Sequence, residues 1–156
     1  KYDTILNKAV AFMLSDCILD KHYGTEIIEE FYNPGDGILN GYIFALLGLY
    51  DYSRYASDFT SFDKYVKNLI LILPKYNFIT WTKYDAKGTV SSRFYHQLHI
   101  DMMYVLYEIT GDSIFLKYKK MWGVGMSLYP IFVLLKSFQK TSRINRMIMS
   151  YSEEKR

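Results

Sequence analysis

The stretch NPGDGILNGYIFALLGLYDYSRY, Asn33 to Tyr55, decides how the rest of the chain is read. Pro34-Gly35 marks a turn, and from about Gly37 to Tyr52 the apolar spacing predicts a helix. Ile38, Tyr42, Ala45 and Leu49 fall on one face of it, and Leu39, Ile43, Leu46 and Tyr50 on another. A helix apolar around so much of its circumference has to be enclosed by others.

Towards the N-terminus, Tyr2 to about Lys21 reads as a helix. Ile5, Ala9, Phe12 and Asp16 share one line on it, and Leu6, Val10, Met13 and Cys17 the next. Tyr23-Gly24 breaks the pattern, and residues 25–35 read as irregular with a short strand at Glu26–Ile28. Towards the C-terminus, Asp58 or Ser61 caps a third helix with a stripe of Phe59, Phe62, Val66, Leu69 and Leu73. Asp63, Lys64, Lys67 and Asn68 face water on its other side, and Pro74 ends it. Phe78 to Thr89 is β-prone and hairpin-like, turning near Lys87-Gly88.

A fourth helix from about Ser92 to Thr110 is again apolar on two faces, with Gly111 as its C-cap residue. Asp112 or Ser113 caps a fifth, ending near Trp122, on which Phe115, Tyr118 and Trp122 oppose Lys117, Lys119 and Lys120. Buried helices thus alternate with one-faced helices. That pattern predicts an all-α fold of stacked antiparallel helix pairs, a partial α/α toroid, since five helices are too few to close a ring. Residues 1–123 form this domain. Residues 124–156, with Pro130 and the basic Lys136, Lys140, Arg143 and Arg146, read as a helical extension.

Bulk properties narrow the function classes. At 156 residues the chain suits one ordinary core. A formal charge of +3 does not suggest nucleic-acid binding, and no apolar run approaches the roughly 18 residues that cross a bilayer. Cys17 stands alone, which excludes an internal disulfide and a Cys-based zinc site. A start at Lys1 rather than Met makes a piece of a longer protein the expectation. The lone Cys and the lack of glycosylation sequons lean towards a bacterial cytoplasmic protein. Sixteen tyrosines would suit a sugar cleft, where rings pack on C–H surfaces and hydroxyls hydrogen-bond, although most are expected at helix contacts.

Three motifs sharpen this: Glu29-Glu30-Phe31 ahead of Leu39-Asn40-Gly41, then Lys83-Tyr84-Asp85, then Phe94-Tyr95-His96-Gln97-Leu98-His99-Ile100. Over roughly His22 to Trp122 the chain resembles the C-terminal domain of D-glucuronyl C5-epimerases, which invert uronic-acid residues within heparan-type polysaccharides. The tyrosine of that family's Glu-Glu-Tyr segment stands here as Phe31, and the spacing to Leu-Asn-Gly is a residue short. The resemblance implies C5-epimerisation of glucuronate in a heparosan- or heparan-like polymer, with Tyr84 and Tyr95 as proton carriers and Glu30 as an acid/base or carboxylate-contacting group. It also implies an anionic, uronate-containing polysaccharide as partner and the Golgi lumen for a eukaryotic member. Family members are commonly dimers, which leaves a homodimer open.

The chemistry asks for such groups. Removing the C5 proton leaves a carbanion that is poor unless the adjacent carboxylate charge is neutralised, and two acid/base groups on opposite ring faces are the simplest arrangement. No organic cofactor is required, because C5 is activated by its own carboxylate, and no Gly-rich phosphate loop is present. Arg93 is the candidate to meet the uronate carboxylate or assist Tyr ionisation, His96 and His99 to contact the glycan or hydrogen-bond the groups that do, Trp81 to offer a sugar platform, and Asn40 to contact substrate or a neighbouring loop. Trp122 reads as core. His96 and His99 share a helical face, but with His22 or Asp101 as third ligand they match no standard metal signature. A non-catalytic glycan-binding or assembly module and a uronate polysaccharide lyase are the alternatives.

Overall fold

The structure, a computed structural model, describes residues 2–16, 18–30 and 35–130. It is mostly helical, with two small antiparallel sheets. Helix α1 (Tyr2–Met13) leads into a hairpin of β1 (Leu19–His22) and β2 (Thr25–Ile28). Helices α2 (Leu39–Ala56) and α3 (Thr60–Ile72) follow, then a 3-10 turn at Leu73–Tyr76 that contains Pro74. A second hairpin, β3 (Asn77–Phe78) and β4 (Trp81–Thr82), precedes α4 (Arg93–Thr110), and residues 113–130 are helical (α5).

The core lies between α2, α3, α4 and α5. Tyr42, Ile43, Leu46 and Leu49 of α2 meet Phe62, Tyr65, Leu69 and Ile72 of α3, with Ile100, Met103 and Leu106 of α4 and Phe115 and Trp122 of α5 closing the cluster. The spacing had placed most of these inward, but in α3 Tyr65 and Ile72 lay outside the stripe read from the sequence, and Phe59 of that stripe is 39% exposed. The Tyr42 hydroxyl donates to the Tyr65 carbonyl at 2.7 Å, so a buried phenol is satisfied; burial drives its pKa well up. The Trp122 indole N–H donates to Asn77 Oδ1 at 2.9 Å, tying α5 to the second hairpin.

The caps follow the sequence closely. Asp58 Oδ1 accepts from Thr60 N, the Ser92 hydroxyl accepts from Tyr95 N, and Asp112 Oδ1 accepts from Ile114 N, while Gly111 ends α4 in the left-handed region at φ 70°.

Four expectations are corrected. The first helix stops at Met13 instead of near Lys21, because Leu19 to Ile28 pair as a hairpin in register Leu19↔Ile28 to His22↔Thr25. Tyr23 and Gly24 both take positive φ (53° and 78°), the two-residue turn that matches strand twist, and burial of Ile27 and Ile28 favours the pairing. Helix α2 is enclosed on one side only: Phe44 is 54% exposed. The fifth helix continues past Trp122 through residue 130, since Gly123 and Gly125 do not break it. The hairpin-like segment is also more divided than expected, turning once at Ile79-Thr80 and again between the bridged Lys83 and Val90. Cys17, the Phe31 departure, Pro34 and the basic segment from Lys136 lie outside the described residues.

Candidate functional site

Two loops converge on the first turn of α2. The earlier one is shaped by Glu29, which is only 5% exposed although the pair Glu29-Glu30 reads as a solvated turn. Its carboxylate oxygens both accept from Gly37 N at 3.0 Å, and Oε1 lies 2.5 Å from His22 Nε2. Gly37 sits at φ +59°, and a Cβ there would lie 2.6 Å from Ala86 Cβ, so only glycine lets the two loops meet.

The later loop carries Tyr84 and is fastened to the same helix end. Tyr84 O accepts from Leu39 N at 3.0 Å, Ala86 N donates to Asp36 O at 3.0 Å, and the Tyr23 hydroxyl donates to Ala86 O at 2.7 Å. Within the loop, Asp85 Oδ1 accepts from Thr89 N at 3.0 Å and Tyr84 N donates to Thr89 O at 2.6 Å. The Asp of the Tyr-Asp motif therefore builds the turn that presents Tyr84.

Three of the residues singled out in the sequence come together here. The half-buried Tyr84 and Tyr95 rings lie 4.6 Å apart, centroid to centroid, tilted by 58°. Glu30 is exposed and lies across Gly41 at the start of α2, where a Cβ would sit 2.5 Å from Glu30 Cβ and 2.7 Å from its Oε2. Burial raises the Tyr84 phenol above its ordinary value, and the neighbouring Tyr95 phenol and the charges of Glu30 and Asp85 raise it further. Tyr84 is thus held protonated, in the form that gives a proton. Glu30 also lines a groove of about 410 Å³ with Phe12, Ile28, Gly41 and Phe44.

The other candidates are placed differently. His96 and His99 are both 0% exposed and bond to one hydroxyl, with His96 Nδ1 and His99 Nδ1 each 3.0 Å from Thr82 Oγ1. His96 Nε2 lies 3.1 Å from the Trp122 carbonyl. Burial lowers His96 to about 4 and, with His96 as a lesser cause, His99 to about 3, so both rings are neutral. Their place is behind the tyrosines, inside the core. Trp81 stacks on His96 at 3.6 Å and 16°, donates to Ser91 O, and lies alongside Tyr129. Arg93 is exposed at the start of α4 with its guanidinium 5.2 Å from the Tyr129 ring centroid. Asn40 is 6% exposed and its Oδ1 makes no hydrogen bond.

Sequence reasoning quoted Glu29 and Asp85 only as neighbours of Glu30 and Tyr84 and passed over Thr82, although the three shape and hold the loops. Nothing in their spacing marks them, because their partners are main-chain amides or residues distant in sequence. Among the described residues, Asp20, His22 and Glu29 bring one potential metal-ligand atom each within 4.8 Å of one another. Main-chain amides already occupy both oxygens of that Glu29 carboxylate.

Residues 20–124 match the family model described as the D-glucuronyl C5-epimerase C-terminus, a span that contains both loops, Tyr95 and the paired histidines. The chain is also 36% identical over 88 residues to an uncharacterized protein of Methanocaldococcus jannaschii, an alignment covering 54% of this chain. It spans 29% of that relative's length.

Proposed function

Given that the chain belongs to the D-glucuronyl C5-epimerase family through the domain described as that enzyme's C-terminus, we propose that it acts in C5-epimerisation of glucuronate residues in a heparosan- or heparan-like polysaccharide. The observation that carries this reading is the Tyr84–Tyr95 pair beside Glu30 at the first turn of α2. In the proposed reaction one group takes the C5 proton and the electron pair passes into the carboxylate. A second group then returns a proton to the opposite face, so no net oxidation occurs and no bond other than C5–H is exchanged. Tyr84, held protonated, suits the returning step. Tyr95 and Glu30 are the remaining acid/base candidates. Arg93 at the exposed start of α4 is positioned to meet an anionic polymer.

We read the helix pairs as one arc of an α/α toroid, whose inner helix ends carry the site. The uronate polymer as partner, and a place in heparan-type polysaccharide biosynthesis, belong to the same proposal. The test is deuterium uptake at uronate C5 when a heparosan-type polymer is incubated with the protein in heavy water, with Tyr95→Phe alongside. Uptake abolished by the substitution supports epimerisation. An unsaturated product absorbing in the ultraviolet replaces it with a lyase, and binding without exchange replaces it with a glycan-binding module.

A further inference from the structure

Behind the tyrosine pair, one hydroxyl joins two imidazoles, and the available partners decide where every proton lies. The Trp122 carbonyl can only accept, so His96 Nε2 carries that ring's hydrogen and His96 Nδ1 is bare. The Thr82 hydroxyl therefore donates to His96 Nδ1, and its oxygen accepts from His99 Nδ1–H. His99 Nε2 is then a bare acceptor, in keeping with its having no partner. The chain of donors runs one way, from His99 through Thr82 to His96 and the backbone of α5.

This chain sits in register with the tyrosines. Tyr84 is two residues beyond Thr82, on the same side of an extended segment continued by the Lys83–Val90 bridge. Tyr95 is four residues before His99 and so shares its face of α4, one turn earlier. Two strand residues advance about 6.6 Å and one helical turn about 5.4 Å. The contacts Thr82–His99 and Tyr84–Tyr95 are consequently successive rungs between one strand and one helix. Main-chain bonds such as Ser91 N to Thr82 O hold the connecting segment at 2.9 Å, and Ile100, Met103 and Leu106 seat the middle of α4 in the core. Two imidazoles on one hydroxyl tie the first two turns of that helix to the strand that leads to Tyr84.

We propose that Thr82 is a positioning residue for the Tyr84–Tyr95 pair, its hydroxyl registering the first turns of α4 against the strand and with them the spacing of the two phenols. The catalytic consequence rests on the epimerase reading; the geometric one does not. Thr82 keeps its shape but loses the hydroxyl in Thr82→Val, and keeps the hydroxyl in Thr82→Ser. Both are compared with the unaltered chain by C5 deuterium exchange and by nuclear Overhauser contacts between the Tyr84 and Tyr95 rings. The expected result for Thr82→Val is a kcat lower by about tenfold or more with little change in KM. Thr82→Ser should restore most of the rate, and the inter-ring contacts should be lost and regained in parallel. A residue that merely stabilises the fold would lower the melting temperature and leave the folded fraction's kcat untouched, and that outcome overturns the proposal. If the unaltered chain exchanges no deuterium, the epimerase reading falls by itself. The ring contacts then decide: persistence in Thr82→Val overturns the positioning role, and their loss with recovery in Thr82→Ser upholds it.

Discussion

The side chain of Glu30 lies directly over Gly41, with its Cβ 2.5 Å from where a Gly41 Cβ would stand. Glycine at this position is what lets the carboxylate reach the start of α2. Gly41→Ala is expected to push Glu30 away, so that C5 exchange falls by about tenfold or more. The helix gains about 1 kcal/mol of propensity, which offsets part of the crowding and keeps the net loss of stability to about 1 kcal/mol. Gly48, with open space at its Cβ position, supplies the contrast. Gly48→Ala should raise stability by about 1 kcal/mol in denaturant titration and leave exchange unchanged.

Tyr84→Phe and Tyr95→Phe each remove a phenol and leave a ring that still packs. Exchange is expected to drop by about 10²–10⁴-fold in either, with melting temperatures close to that of the unaltered chain. Because Tyr84 is raised above 10.0, it stays protonated through neutral and mildly alkaline pH. The alkaline limb of the rate profile should therefore lie above pH 10 and disappear in Tyr84→Phe, as measured by exchange rates across pH.

His96 and His99 bind protons less readily in the folded chain, at about 4 and about 3, than the ordinary 6.5 of the unfolded one. Their contribution to stability is complete above pH 6.5 and declines as the pH falls from there towards 3. Each can add up to about 1.4 kcal/mol per pH unit to that decline. Urea titrations from pH 7 to pH 4 should show it. Replacing His99 by Gln, which cannot titrate, should flatten the slope even while lowering stability at pH 7.

Glu29→Gln leaves Gly37 N one carbonyl acceptor in place of two and sets a buried side-chain amide donor against the same N–H. Leaving a buried amide poorly paired costs about 1–3 kcal/mol, read by thermal or chemical denaturation. Exchange should fall more steeply than stability, because the loop that Glu29 shapes leads directly to Glu30.

How much of this was legible in the chain differs by element. Helices α2, α3 and α4 were readable from their apolar spacing, and for α3 and α4 the end signals Asp58 and Gly111 agree with it. The first hairpin was not. Ile5 to Cys17 keeps a helical spacing that runs on towards Lys21, and only the pairing of Leu19 to Ile28, a contact across the Tyr23-Gly24 turn, stops it. In the site, motif resemblance picked out Glu30, Tyr84 and Tyr95, and the fold gathers them. His96 and His99 were open in the sequence to two readings, glycan contact or hydrogen bonding to neighbouring side chains from behind the site. Their actual partner, Thr82, lies 14 and 17 residues away and has no local signature.

The bond from Leu39 N to Tyr84 O makes the two halves of this chain share a single anchor at the head of α2. The main chain of Tyr84 and the Gly41 that Glu30 lies over are therefore set on the same end of one helix. Length changes will be tolerated unequally as a result. An added residue in either converging loop shifts one reactive group against the other, whereas one added between α2 and α3, where Ser57 to Thr60 are exposed, is absorbed without reaching them.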